Sequence, residues 1–350
     1  MLTKSTLLTY AFCLIMSTGR KNFTNINREN KINSKKTLQP ADTIFKTLQE
    51  LCRTLFKDAK KLILVVDETL IKKIYSQWMR GSGKFYDTKT GRCITSFNLL
   101  VGAISDGKKA IPISASYIFA KDLLEAANLK QQSKDDIVKA LVDLVKKLFP
   151  NVELILTADG LYSTKNLLTW CVENKVKAEM RMRSSCVVAY KAKKLSLKQL
   201  VLERNVRPKG RQTCRTVSVK WHNIDLEITI VRRIDKHGNE SIVFQVATYK
   251  ARPDAHVAHY QKRWAIEMIF RTSKQSLGLQ ECQSRSLQVQ HNHVAAVLLA
   301  YAITQLEMKK RKLDTPEKAI TAARSSERRK RPSLNGVFAF LNHDYLVATA

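Results

Sequence analysis

Residues 62–67 have the sequence Leu-Ile-Leu-Val-Val-Asp, a continuous apolar run that ends on Asp67. A run of this length, rich in Leu and β-branched residues, is typical of a strand buried on both faces of a sheet. A second such run, residues 152–156, leads into Asp159. The chain therefore contains two short apolar strands that are each expected to end at a carboxylate.

The segment between these runs predicts two more strands and a helix. Residues 93–105 and 109–119 are strand-like and flank Asp106-Gly107, a dipeptide that favours a tight hairpin turn. Residues 134–149 carry apolar side chains at three- and four-residue steps, and Ser133 is available as the N-cap. This order predicts a strand, a hairpin and then a crossover helix.

A right-handed crossover through this helix brings the two apolar strands into one sheet. A second helix is predicted over residues 164–174, after Asp159. Asp67 and Asp159 are then expected to meet at the carboxyl edge of the sheet, where open α/β sheets place ligand sites. The alternative is that each Asp only caps the turn that follows it.

Helical periodicity returns at residues 254–277, and one carboxylate there shares a stripe with four hydrogen-bond donors. At 100° per residue, the five side chains fall within an arc of about 80°. They are Tyr260, Arg263, Glu267, Arg271 and Lys274. The stripe predicts that Glu267 binds a cation while the four donors bind phosphate oxygens. The alternative is an i,i+4 ion pair between Glu267 and Arg263 or Arg271.

The spacing Tyr260-x2-Arg263-x3-Glu267-x6-Lys274 matches the Y-R-E-K signature of bacterial insertion-sequence transposases of the Asp-Asp-Glu (DDE) class. The resemblance includes VVDET around Asp67, TADGLYS around Asp159 and LGLQECQSRS after the Glu267 helix. It spans about residues 60–305. The sequence is thus similar to a family of enzymes that move DNA segments.

The resemblance implies an α/β fold, with a ribonuclease-H-like mixed sheet, flanking helices and a β-rich insertion before the Glu267 helix. It also implies that Asp67, Asp159 and Glu267 bind metal, while Tyr260, Arg263 and Lys274 contact DNA near the scissile phosphate. The expected cofactor is a pair of Mg²⁺ ions, which Mn²⁺ can replace, because hard oxygen ligands suit these ions. Such a site serves hydrolysis by water and strand transfer by a 3′-hydroxyl. We expect Asp67 to bridge the metals, and Glu68 is a candidate supporting residue.

Composition supports a nucleic-acid partner. The chain has 61 Lys and Arg against 30 Asp and Glu, a formal net charge of +31, and such an excess attracts polyanions. A ribosome-associated protein is the alternative on charge alone. Seven scattered cysteines without a C-x-x-C pair indicate a reducing compartment and no structural metal. The apolar stretch 7–17 resembles the core of a signal peptide, but a buried N-terminal helix explains it better.

These patterns predict five regions. The predicted partner is double-stranded DNA, both the ends of the mobile element and the target DNA. The regions are a helical N-terminal region that is a possible DNA-binding module (1–57), two parts of the catalytic domain (58–177 and 251–310), the β-rich insertion (178–250) and a basic C-terminal tail (311–350). We expect a homodimer on paired ends, no membrane segment, and a location in the bacterial cytoplasm at the nucleoid. The alternatives are a metal-dependent nuclease of the same fold and a decayed, DNA-binding transposase copy.

Overall fold

The computed structural model describes residues 4–74, 79–127, 132–204 and 212–328, which form one eleven-stranded mixed sheet with helices around it. The strands are β1 (Lys61–Lys72), β2 (Gly83–Asp87), β3 (Arg92–Ser105), β4 (Ala110–Ile118), β5 (Glu153–Ala158), β6 (Lys177–Met182), β7 (Val187–Tyr190), β8 (Lys193–Ser196), β9 (Gln212–Trp221), β10 (Ile224–Ile234) and β11 (Glu240–Ala247). The helices are α1 (Lys4–Met16), α2 (Phe23–Asn30), α3 (Ser34–Thr37), α4 (Ala41–Leu55), α5 (Lys121–Ala126), α6 (Lys134–Leu148), α7 (Lys165–Glu173), α8 (Leu197–Glu203), α9 (Pro253–Gln261), α10 (Trp264–Gln275), α11 (Leu287–Arg311) and α12 (Pro316–Arg328).

The two apolar runs lie in one sheet, as predicted, and form the neighbouring strands β1 and β5. β1 pairs antiparallel with β3 on one side and parallel with β5 on the other, and β5 pairs parallel with β6. β4 extends the sheet beyond β3, and helices α6 and α7 connect the parallel strands. The prediction of a ribonuclease-H-like mixed sheet with flanking helices is therefore confirmed.

The predicted end of the first strand is wrong. β1 does not stop at Asp67 but continues to Lys72, because β3 supplies partners along the whole length, from Ser105 opposite Ile63 to Ser96 opposite Lys72. β5 does stop where expected, at Ala158. Asp67 thus lies within a strand, at the point where its parallel neighbour ends.

The predicted hairpin and crossover helix are present. Asp106 accepts hydrogen bonds from the backbone N–H groups of Lys108 and Lys109, and Gly107 has a positive φ of 91°, a conformation that glycine adopts at little cost. Ser133 caps α6 by accepting from the N–H of Asp136. These local signals were correct because each is satisfied by residues within three positions in the chain.

The β-rich segment continues the same sheet instead of forming a separate one. β6 pairs with β11, and the order then runs through β10, β9, β7 and β8. The region is β-rich as predicted, through β9, β10 and β11, and it also contains the short strands β7 and β8 and the helix α8. The sheet extends beyond β6 as one continuous surface.

The helix predicted over residues 254–277 is in fact two helices, α9 and α10. Four backbone hydrogen bonds at the junction span three residues instead of four, from Lys262 N–H to His259 and from Ile266 N–H to Arg263 at the two ends. Such bonds tighten the helix locally and interrupt its period. The single stripe of five side chains is therefore wrong, because Tyr260 lies on α9, before the break.

Region 1–57 is helical as predicted, and α1 is buried. Tyr10, Leu14 and Ile15 are at most 3% exposed, and the Tyr10 hydroxyl lies 3.0 Å from Nδ1 of His293 on α11. The buried N-terminal helix is therefore the correct interpretation of the apolar stretch 7–17. Within the described residues, no helix is both long and apolar enough to cross a bilayer.

The basic tail predicted over residues 311–350 is wrong in its first part, since residues 316–328 form α12. This helix packs on α11 and α1, and Arg324 donates to the backbone carbonyls of Ile15 and Ser17. The remainder of the predicted tail, with most of the basic run 328–331, lies outside the described residues.

Candidate functional site

Asp67 and Asp159 lie side by side at the carboxyl edge of the parallel strand pair. Val66 is opposite Ala158 in the parallel register of β1 and β5. Asp67 follows Val66 in the chain, and Asp159 follows Ala158. Neighbouring strands are about 4.8 Å apart, so the two backbones hold these residues close together. The meeting of the two aspartates expected from the sequence is present.

The environment of Asp67 disfavours its charged form. Burial raises the pKa of Asp67 to about 6, and the neighbouring Asp159 and Glu68 charges act in the same direction. The Glu68 backbone N–H, 2.8 Å from Oδ1, and the Arg263 guanidinium lower the pKa but do not compensate. A buried carboxylate of this kind gains free energy from a cation close to it.

Arg263 brings Glu267 to the same place. Its guanidinium donates through one terminal nitrogen to Oδ2 of Asp67 at 3.0 Å and through the other to Oε1 of Glu267. The Arg263 side chain is only 17% exposed, and its guanidinium lies 5.8 Å from the ring centre of Tyr260. Three carboxylates therefore lie around one edge of the sheet: Asp67, Asp159 and Glu267. Successive members are 92 and 108 residues apart in the chain.

The pairing of Arg263 with Glu267 is the i,i+4 ion pair that was the alternative to cation binding. Among the described residues, no group of three His, Cys, Asp or Glu side chains is arranged to hold a metal ion. The donor chemistry fits Mg²⁺, since all three side chains offer hard oxygens. The arrangement does not fit it, because the guanidinium lies between Asp67 and Glu267.

The other predicted DNA-contacting residues lie along α9 and α10. The Tyr260 hydroxyl is buried and has no hydrogen-bond partner among the described residues. Burial, together with Lys89 and Lys72, lowers the pKa of Lys274 to about 8. Arg271 is exposed and donates to the sulfur of Met268. Lys274 thus lies near Lys72, Lys89 and Asp87, at the far end of β1.

Glu68 supports the site from the opposite face of the sheet. Its carboxylate accepts hydrogen bonds from the Tyr162 hydroxyl at 3.0 Å and from the Asn98 amide at 2.6 Å, and it forms an ion pair with Lys134 at 2.7 Å. The sequence suggested Glu68 by adjacency to Asp67, but it gave no signal for Tyr162. The partners come from three separate elements, so only the folded chain reveals them.

A cleft beside Asp159 contains basic residues that the sequence analysis missed. It has a volume of about 400 Å³ and is lined by the turn at Gly160 and Leu161, by Arg181 near the end of β6 and by Arg183 just after it. Both arginines are exposed, and so is Leu161. Their signal in the sequence was only the general basicity of the segment 178–250, which a solvated surface would share.

Comparison with known proteins identifies the family to which this chain belongs. The sequence matches the family described as Transposase DDE domain over residues 58–303. The chain therefore belongs to the DDE transposase family, a class of nucleic-acid-cleaving enzymes that generally use divalent metals. The family match does not distinguish the Y-R-E-K subtype.

Two further comparisons are less informative. No curated protein matches the sequence. Among solved structures, the NurA nuclease from Sulfolobus solfataricus is similar to 84% of this chain and 96% of its own, with 10% sequence identity and a TM-score of 0.25. A likeness at that level carries no conclusion about this chain.

Proposed function

We propose that this chain is a transposase that cleaves DNA at the ends of a mobile element and joins the freed ends to target DNA. The observation that carries the proposal is the position of three carboxylates at one edge of the sheet: Asp67 and Asp159 follow paired residues of β1 and β5, and Glu267 is joined to Asp67 through Arg263. Within a DDE transposase domain, this contact brings the third carboxylate, from a distant helix, to the two aspartates.

Asp67, Asp159 and Glu267 would hold two Mg²⁺ ions, with Mn²⁺ as a substitute, once Arg263 no longer occupies the space between Asp67 and Glu267. Ions bound there would help to activate a water or 3′-hydroxyl and would neutralise charge on the phosphate and the leaving oxygen. The protein orients the phosphate for in-line attack. One site can then perform cleavage and strand transfer in turn, since only the attacking hydroxyl differs.

Double-stranded DNA is the proposed substrate, both as element ends and as target. Tyr260, Arg263, Arg271 and Lys274 would contact the phosphates, and Arg181 beside Asp159 extends this basic surface toward β11. Two element ends must be processed together, so we propose that the chain acts as a homodimer on paired ends. Because the proposed substrate is chromosomal DNA, we propose that the protein acts at the nucleoid in the bacterial cytoplasm.

The test is nicking and joining of DNA that carries the element's own ends, in Mn²⁺, by the wild type and by Asp159→Ala. Asp143→Ala is a matched control, because it removes an exposed carboxylate of α6 far from the site. We expect joined products from the wild type and the control and none from Asp159→Ala, with DNA binding retained. Cleavage without joining would identify a nuclease, and binding without any reaction would identify a decayed copy.

A further inference from the structure

The position of Arg263 is unusual for a residue expected to contact DNA. Both of its terminal nitrogens are bound to carboxylates, Asp67 and Glu267. Its Nε is buried and has no partner among the described residues. The guanidinium therefore occupies the space between two predicted metal ligands, and we call this arrangement the arginine bridge.

The arginine bridge satisfies the carboxylates as a cation would. The guanidinium holds a positive charge 3.0 Å from Oδ2 of Asp67 and in hydrogen-bond contact with Oε1 of Glu267. A planar guanidinium binds two oxygens at once, but it cannot bind the carboxylates and a phosphate with the same N–H groups. While the bridge is intact, Asp67 and Glu267 are not both available to a divalent ion.

We propose that the arginine bridge keeps the metal site closed without DNA and that a DNA phosphate opens it. Resting on the proposed function, the inference adds an order of assembly to it. When a phosphate binds the guanidinium, Arg263 releases Asp67 and Glu267, and both become free to bind Mg²⁺. DNA and metal then strengthen each other's binding, and the effect is equal in both directions.

Arg271 provides the internal comparison. It lies on the same helix as Glu267, four residues further on, so it has the spacing of an i,i+4 partner. It is nevertheless exposed and bonded to the sulfur of Met268 rather than to a carboxylate. Removing either arginine subtracts one positive charge near Glu267, but only removing Arg263 frees two ligands.

The experiment measures Mn²⁺ affinity by electron paramagnetic resonance, with and without an element-end duplex, at 4 °C before cleavage is detectable. The proteins are the wild type, Arg263→Ala, Arg263→Lys and Arg271→Ala, each checked for folding by circular dichroism. Without DNA, we expect Arg263→Ala to bind Mn²⁺ at least about tenfold more tightly than the wild type, a change of about 1.4 kcal/mol. Arg271→Ala should change the affinity less than about threefold, by loss of charge alone.

Two further results are expected. The duplex should tighten Mn²⁺ binding to the wild type about tenfold, a coupling within the usual range, and it should add little in Arg263→Ala. Arg263→Lys keeps the charge but lacks the fork that reaches both carboxylates, so its affinity without DNA should be intermediate. Arg263→Lys also serves if Arg263→Ala does not fold.

The outcomes separate this inference from the proposed function. Equal Mn²⁺ affinity of the wild type and Arg263→Ala, or an equal gain in Arg271→Ala, would overturn the arginine bridge while leaving the transposase intact. Absence of Mn²⁺ binding in every variant, even with DNA, would overturn both. A duplex that weakens Mn²⁺ binding to the wild type would contradict the coupling itself.

Discussion

The hydroxyl of Tyr162 donates to Oε1 of Glu68 over 3.0 Å and so ties the turn that follows Asp159 to the residue that follows Asp67. Asp67 and Glu68 are consecutive in β1 and point to opposite faces of the sheet. The Glu68 carboxylate lies on the face of α6, where it pairs with Lys134. The hydrogen bond therefore joins the two segments that carry the aspartates on the side of the sheet opposite Asp67.

We predict that Tyr162→Phe and Glu68→Gln slow cleavage about tenfold while leaving DNA affinity unchanged. Each change weakens a hydrogen bond to a charged, mostly buried group, at a cost of about 1–3 kcal/mol in stability. Single-turnover cleavage at saturating Mn²⁺ and thermal unfolding measure the two effects. Tyr190→Phe is the control. Tyr190 lies in β7, in the part of the sheet beyond β11, and its hydroxyl accepts a hydrogen bond from Arg204. A loss of stability with an unchanged cleavage rate would show that Tyr162 only supports the fold.

The affinity for DNA is predicted to fall as the pH rises above about 8, because of Lys274. Burial and two neighbouring lysines lower its pKa to about 8, so it is charged below that pH and neutral above it. A bound phosphate favours the charged form and raises this pKa. The wild type should therefore lose up to about tenfold in affinity per pH unit above 8.

Fluorescence anisotropy between pH 7 and 9.5 tests the contribution of Lys274 against two variants. Lys274→Ala should bind more weakly with a flatter pH profile. Lys274→Arg should bind tightly with a similarly flat profile, since arginine stays protonated throughout this range. If Lys274→Ala showed the same pH profile as the wild type, the titrating group would be a residue other than Lys274.

The packing of α6 on the sheet predicts that Gly102→Ala is destabilising. An added Cβ at Gly102, opposite Val66 in the register, would lie 2.9 Å from Cδ1 of Leu141. The crowding should cost about 1–3 kcal/mol in unfolding free energy. Chemical denaturation of Gly102→Ala, Leu141→Ala and the double variant measures the coupling. The double variant should lose less than the sum of the single losses, and strict additivity would contradict the contact.

The comparison of sequence and structure shows which signals are local. Strands β1 and β5 and helix α6 were predictable because their apolar patterns and caps lie within each segment, as Ser133 does for α6. The extension of β1 past Asp67 was not, because it depends on pairing with residues 96–100 of β3. Nothing in residues 262–263 signals the break before α10, since Lys and Arg are both good helix formers.

The candidate site shows the same division. The sequence identified Asp67, Asp159 and Glu267 as residue types at suitable positions, and the structure brings them to one edge. The sequence did not identify Arg263 as the residue that joins Asp67 to Glu267, because helical spacing accounts only for the contact between Arg263 and Glu267. The contact between Arg263 and Asp67 joins residues 196 positions apart, and only the packing of α10 over β1 creates it.

The buried hydroxyl of Tyr260 has no hydrogen-bond partner among the described residues. Removing an unpaired buried hydroxyl relieves a desolvation cost, so Tyr260→Phe should keep or raise the stability by up to about 1 kcal/mol. The same change should weaken DNA binding several-fold if the hydroxyl donates to a phosphate. Because the hydroxyl is neutral, the salt dependence of binding should not change in Tyr260→Phe, whereas Lys274→Ala should reduce the salt slope by about one.

Thermal unfolding and binding titrations at several salt concentrations separate the two roles of Tyr260. Tyr260→Ala is the companion variant, since it also removes the ring that lies beside the Arg263 guanidinium, and it should lower the stability. A Tyr260→Phe protein that unfolds more easily and binds DNA normally would show that the hydroxyl serves the fold. Weaker DNA binding at unchanged stability would instead show that a buried polar group is kept unpaired in the free protein because its partner is the substrate.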